Sequence, residues 1–149
     1  MTTASLCGPF CGTPLFAHVF GALVLFGGVA AVVLLAFSAL RRPEHAVLLH
    51  RTAFGTMLLG VWPGFIVMRI GAQWVASHEG LSNSKATWLG IGFAVSDGGI
   101  VVLAVITLLA WLALRRPRAG SFLAGLAAVY LVALGVAWFF MTTKAGGTS

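Results

Sequence analysis

The sequence predicts an all-α membrane protein, an antiparallel bundle of four transmembrane helices with both termini outside. Three observations predict this class: an apolar composition, four long apolar stretches joined by short links, and arginines clustered at two of the three links. Of the 149 residues, 60% are hydrophobic and only 8% are charged, and the mean hydropathy is +1.03. A soluble domain is about half apolar and about a quarter charged. This chain therefore has too few polar side chains to cover a water-facing surface.

The four apolar stretches fill most of the chain. A membrane-spanning helix needs about 20 consecutive apolar residues. The predicted spans are residues 16–40, 46–75, 87–114 and 119–142. Short links make successive helices antiparallel neighbours. Residues 1–149 are therefore expected to form a single transmembrane domain, with no room for a soluble one.

The basic residues predict the orientation. Six lie at or beside the first and third links: Arg41, Arg42, Arg51, Arg115, Arg116 and Arg118. Three lie toward the other side: Arg69, Lys85 and Lys144. Because basic residues concentrate on the cytoplasmic side, both termini and the second link are expected outside. The net charge of +6 is then explained by the orientation of the chain in the membrane. It does not indicate nucleic-acid binding, because that function requires basic residues gathered on one face of the protein. The expected partners are the lipid bilayer and other membrane chains or copies of this one.

Asp97 is the most informative residue of the third span. It follows Trp88 by nine residues, or about 14 Å along a helix axis, which places it near the middle of the membrane. A charge at the membrane centre costs about 2.5–3.5 kcal/mol, so the carboxylate is expected to be paired, protonated or beside water. We predict that it pairs with Arg69 of the second span. The pair could be a structural clamp or part of a proton or ligand site, or Arg69 could instead extend outward to the head groups.

Other polar and aromatic residues are expected at a similar depth, in an outer-leaflet polar pocket. The candidate ligand-binding residues are His18, Trp62, Phe65, Arg69, Gln73, Asp97 and Tyr130. Trp62 and Phe65 lie on the face of the helix that carries Arg69 and would form walls, while Tyr130 would supply a hydroxyl. For His18, an interfacial position with a hydrogen bond to a backbone carbonyl is an equally good interpretation.

The histidines and cysteines permit further hypotheses. His18 and His78 could ligate one b-type haem from two helices, because axial histidine pairs are a known mode of haem binding. His50, near the opposite end of the second span, is interpreted as a head-group anchor. Cys7 and Cys11 lie in the outward N-terminal segment, where a disulfide is plausible; two free thiols are the alternative.

The sequence contains no G-x-S-x-G, H-E-x-x-H or P-loop motif, which favours a non-catalytic protein. Glycines within the spans, including the Gly60 and Gly64 pair, are expected to let neighbouring helices approach closely. Pro63 is expected to bend the second helix, because it removes a backbone hydrogen bond.

Parts of the sequence resemble a group of small bacterial membrane proteins. The segment AHVFGA at residues 17–22, followed by two glycines at 27 and 28, resembles the start of proteins distantly related to the copper-resistance D type. The stretch PGFIVMRIGAQW at 63–74, followed by WLGIGF at 88–93 and Asp97, looks like a group of uncharacterised four-helix proteins. The resemblance implies a bundle in the bacterial inner (cytoplasmic) membrane whose His18, Arg69 and Asp97 merit testing together. The copper-resistance members are larger and carry additional His and Met residues, so copper transport is not carried over.

Together these features favour a non-catalytic integral membrane protein, a subunit or binding module of a membrane complex. Its outer-leaflet pocket would hold a small ligand, a lipid or a quinone. Two alternatives remain open: a b-type haem protein for electron transfer that uses His18, and a small proton-coupled transporter centred on Asp97. Four helices are few for alternating access unless the protein oligomerises.

Overall fold

The computed structural model describes residues 12–78 and 87–143, without the side chains of 75, 76, 78, 87–96 and 141–143. Apart from residue 42 and residues 114–116, the chain is helical within these ranges, which contain no strand. The helices are α1 (Gly12–Arg41), α2 (Ala46–Thr56), α3 (Trp62–His78), α4 (Thr87–Ala113) and α5 (Pro117–Thr143). A short 3-10 turn, Pro43–His45, precedes α2, and a π turn, Met57–Val61, joins α2 to α3. Because that join is continuous, the described chain forms four long helical segments.

Three of these segments are long and apolar enough to cross a membrane: Gly12–Arg41, Pro43–Trp74 and Pro117–Phe140. In the fourth, the part of α4 with described side chains, Asp97–Ala113, is apolar but shorter. The helix bounds agree closely with the predicted spans. α5 begins at Pro117, where a proline suits the first helical position because that position needs no N–H donor.

The second helical segment is irregular just before Pro63, where a π turn interrupts the α-helix; the bend expected at Pro63 stays a prediction. The backbone N–H of Trp62 bonds to the carbonyl of Met57, five residues earlier. A proline ring crowds the carbonyl four residues before it, here that of Leu59. The wider turn accommodates one additional residue. It therefore changes which side chains of α3 face each neighbouring helix.

The core is formed by side chains from every helical segment. Its largest fully buried members are Leu25, Met57, Leu103, Ile106 and Leu123, with three valines. Large apolar side chains such as Leu34, Leu59 and Phe122 point outward. An apolar exterior around an apolar core is the pattern of a helix bundle that faces lipid.

α1 and α3 pack through glycines, which we call the glycine seam (Gly21, Gly64 and Gly71). A Cβ added at Gly21 would lie 2.3 Å from the backbone nitrogen of Met68, and one at Gly71 would lie 2.5 Å from that of His18. A Cβ at Gly64 would lie 2.9 Å from the nitrogen of Leu25. Along these contacts the residue numbers increase in α1 while they decrease in α3. These two helices therefore run in opposite directions. Close backbone approach at small residues is how helices associate in lipid.

The expected Gly60 and Gly64 pair does not act as one contact. Gly64 belongs to the glycine seam, whereas a Cβ at Gly60 would meet nothing within 4 Å. The π turn that includes Gly60 separates it from the regular helical spacing of α3. The motif therefore supplies one packing residue instead of two.

Candidate functional site at the contact between α3 and α4

An ion pair joins α3 to α4. Arg69 donates a hydrogen bond from its guanidinium to the carboxylate of Asp97. The predicted pairing of these two residues is therefore confirmed. The Arg69 side chain is 21% exposed and that of Asp97 is 60% exposed, so the carboxylate faces outward from the bundle while the guanidinium is mostly covered.

A second polar contact lies two turns along α3. The indole Nε1 of Trp62 donates to Oγ1 of Thr107 at 3.1 Å. The same hydroxyl donates to the carbonyl of Leu103 at 2.7 Å, so Thr107 has both its donor and an acceptor site in use. Satisfying polar groups internally is essential where no water is present. Thr107 is not among the residues predicted for the site; the signal for it is an isolated hydroxyl deep in an apolar span.

α5 contributes Tyr130 to this region. The tyrosine is 4% exposed, and its hydroxyl has no hydrogen-bond partner among the described residues. It lies against Gly99, where an added Cβ would be 2.5 Å from the hydroxyl and 3.6 Å from Cε2 of Phe65. The absence of a side chain at Gly99 therefore makes room for the hydroxyl of Tyr130. A buried hydroxyl without a partner is uncommon and calls for a specific explanation.

Five of the seven predicted ligand-binding residues lie along this junction of α3, α4 and α5. They are Trp62, Phe65, Arg69, Asp97 and Tyr130. The ring of Phe65 meets that of Trp62 edge to face, with centroids 6.2 Å apart. Gln73 lies one turn beyond Arg69 on the same face of α3 and is exposed. We call the five residues the α3–α4 junction.

His18 lies elsewhere. Its Nδ1 is 3.0 Å from the carbonyl oxygen of Met68, and its backbone packs against Gly71. Residues 69 and 71 differ by about 200° around a helix, so Arg69 points away from the side of α3 that His18 contacts. The expected hydrogen bond between His18 and a backbone carbonyl is confirmed, and its interfacial position stays a prediction. The structure does not bring His18 to the α3–α4 junction.

The interpretation of His50 as a head-group anchor is wrong. Its side chain is buried, at 4% exposed, because the start of α5 packs over it. A Cβ added at Gly120 would lie 2.9 Å from its Nε2. No pattern in the sequence indicates this contact, because Gly120 lies on α5 and His50 on α2, and helical spacing relates only residues of the same helix.

The remaining metal and disulfide predictions fall outside the described part of the chain. Cys7 and Cys11 precede residue 12, and the side chain of His78 is not described although its backbone ends α3. Within the described ranges, no group of three or more His, Cys, Asp or Glu residues could hold a metal ion. The paired haem ligation by His18 and His78 stays a prediction.

The arrangement can therefore offer a guanidinium, a carboxylate and a phenol hydroxyl beside two aromatic rings. All five side chains come from helices, which position them more rigidly than loops would. No family model, curated protein or solved structure matches this chain.

Proposed function

We propose that this chain is a small non-catalytic integral membrane protein that binds a lipid-soluble ligand at the α3–α4 junction. In this proposal the four helical segments form an antiparallel transmembrane bundle in a bacterial inner membrane, with both termini outside. The protein acts as a subunit or binding module of a membrane complex. The length and apolar character of the helices support the membrane location, and the arginine distribution supports the orientation.

The buried, unpartnered hydroxyl of Tyr130 carries the binding proposal. A hydroxyl without a partner in an apolar environment is costly, and a ligand oxygen would supply the missing hydrogen bond. The ion pair supports the same conclusion. In this proposal the carboxylate of Asp97, whose side chain is 60% exposed, lies at membrane depth. A charged group at that depth requires polar partners in addition to one guanidinium.

The ligand chemistry follows from the residues at the junction. Tyr130 and Arg69 can both donate hydrogen bonds, so the ligand carries an acceptor such as a carbonyl or ester oxygen. Trp62 and Phe65 present aromatic surface to its apolar part. A lipid or a quinone has both features and can enter sideways from the bilayer, between α3 and α4.

The Tyr130→Phe variant tests this proposal. The protein is extracted in mild detergent, and the bound small molecules are identified by mass spectrometry. We expect the wild type to retain a lipid-soluble molecule and the variant to lose most of it. Removing an unpartnered hydroxyl should leave the thermal stability of the ligand-free protein unchanged or raise it.

Thr56→Val is the matched control, because it removes a hydroxyl that bonds only to the carbonyl of Thr52. It should keep wild-type occupancy. If Tyr130→Phe kept full occupancy and lost stability, the hydroxyl would have a structural partner instead of a ligand.

Haem binding is a second candidate, favoured by one contact of His18. The carbonyl of Met68 can only accept a hydrogen bond, so Nδ1 of His18 must donate it. In the neutral ring, Nε2 then carries the lone pair that would bind a metal, and a metal-binding histidine commonly bonds a carbonyl through its other nitrogen. An absorption spectrum of the purified protein decides this: a Soret band lost in His18→Ala would support haem, and its absence from the wild type would reject it.

A further inference from the structure

His50 lies on α2, at the end of the molecule opposite the ion pair. It precedes Arg69 by 19 residues, or about 28 Å along a helix axis. Among the residues whose side chains the structure describes, it is the only histidine, arginine or acid that is buried, at 4% exposed. A titratable group in that position is uncommon, so its contacts need an explanation.

The imidazole of His50 packs directly against the first turn of α5. A Cβ added at Gly120 would lie 2.9 Å from its Nε2 and 3.0 Å from its Cε1, and 3.9 Å from Cδ2 of Leu40 in the last turn of α1. Gly120 is itself buried, as is Ala119 beside it. The ring therefore lies where α2, the start of α5 and the end of α1 meet.

This contact offers nothing that would stabilise a positive charge on the ring. The Nδ1 atom of His50 has no hydrogen-bond partner among the described residues. The charged and titratable residues at this end of the described helices and links are all exposed: Arg41, Arg42, Glu44, His45, Arg51, Arg115, Arg116 and Arg118. Only one of these eight is an acid. An imidazolium packed here would therefore be a buried charge without a partner, close to several cations.

We propose that His50 forms a pH-sensitive contact, which holds the start of α5 against α2 while the imidazole is neutral and releases it when the imidazole is protonated. The neutral ring packs against the backbone of Gly120 as an apolar group does. The protonated ring requires water, and at this end of the bundle it reaches water when the first turn of α5 moves away. This contact is separate from the α3–α4 junction and does not depend on the function proposed there.

The direction of the pH dependence follows from the two states. In the released state the ring is exposed, and an exposed imidazole has a pKa of about 6.5. Above that pH the ring is neutral in both states, and the contact has its full strength. Below it the released state gains a proton that the packed state does not accommodate, so acid favours release.

Hydrogen–deuterium exchange of the full chain in lipid nanodiscs tests the proposal. The exchange rate of the first two turns of α5 is measured at pH 7 and pH 5 in the wild type and in His50→Leu. Comparing the two proteins at the same pH cancels the intrinsic pH dependence of amide exchange. We expect the ratio of the wild-type rate to the variant rate to rise about tenfold from pH 7 to pH 5. An unchanged ratio would overturn the proposal.

His45→Gln is the matched control, because it removes an exposed histidine five residues before His50. It should keep the wild-type response, and loss of the response in this variant would assign the effect to an exposed group and overturn the proposal. His50→Gln repeats the measurement with a polar neutral side chain, in case leucine prevents folding. The response should also be confined to the start of α5. An equal rise in the exchange of residues 126–134 would indicate general unfolding and contradict a local release.

Discussion

The two sides of α3 contact their neighbours in different ways. Toward α1, the glycine seam brings backbone against backbone, so that an added Cβ at Gly21 would lie 2.3 Å from Met68. Toward α4, the described contacts run through long side chains, the Trp62 bond to Thr107 and the Arg69 bond to Asp97. One side is a close fit of main chains, and the other is bridged by side-chain tips.

This difference shows which side of α3 can admit another molecule. A backbone contact at glycine leaves no space, and separating it loses dispersion contacts along the whole helix. A contact between side-chain tips can open by rotation of a few torsion angles. A ligand of the kind proposed above would therefore enter between α3 and α4, near the Tyr130 hydroxyl that has no hydrogen-bond partner among the described residues, and not between α1 and α3.

The largest effect is expected from adding a methyl group to the glycine seam. Gly21→Ala would push a Cβ against the backbone of α3, which cannot yield as a flexible side chain does. We expect a loss of about 3 kcal/mol in unfolding free energy, measured by detergent-titrated unfolding in mixed micelles.

Gly27→Ala is the matched control on the same helix, because a Cβ there meets nothing within 4 Å. It should leave the unfolding free energy unchanged or raise it by up to about 1 kcal/mol, because alanine has a higher helix propensity than glycine. A loss at Gly27 similar to that at Gly21 would mean that close packing in the seam does not set the effect at Gly21.

A smaller effect is expected from the ion pair. Arg69→Gln and Asp97→Asn should each destabilise the protein, and the double variant should cost less than the sum of the two. The expected coupling is about 1 kcal/mol, obtained from unfolding free energies of the wild type and the three variants. Additive losses would argue that the two charges contribute independently.

The smallest effect is expected from the Trp62 contact. Thr107→Val removes the hydroxyl that accepts from the indole, and hydrogen bonds between membrane helices average about 0.6 kcal/mol. Trp62→Phe should cost more, because it also removes ring surface next to Phe65. If Thr107→Val instead cost as much as Gly21→Ala, the side-chain contacts would hold α3 and α4 as firmly as the glycines hold α1 and α3.

The ion pair could be predicted from the sequence because a charge inside the membrane is costly and few basic residues lie at the depth of Asp97. A carboxylate in an apolar span needs a partner, and helix rise alone places Arg69 at the nearest depth. The same reasoning could not separate His18 from Arg69. The depth of a residue along the helix axis does not say in which direction around that axis its side chain points. The π turn before Trp62 adds one residue to the turn and so changes that direction for the side chains of α3.

His50 shows a different limit. Its position near the end of a span predicted contact with head groups, yet the first turn of α5 covers it. That contact depends on Gly120, which is distant from His50 in the sequence, and on the packing of the first turn of α5 against α2 and the end of α1. The spacing of residues within one helix does not predict contacts between helices that are distant in sequence.

Composition and the lengths of the apolar stretches alone predicted that the chain is helical and where its helices begin and end, to within a few residues. Of the four predicted spans, three are long and apolar enough among the described residues to cross a membrane. Only the tertiary structure decided which face of each helix packs inward. The physical reason is that lipid is as apolar as the core. A helix that is hydrophobic all round has no polar stripe to indicate its outer face, so small residues, one π turn and a few polar contacts make that choice.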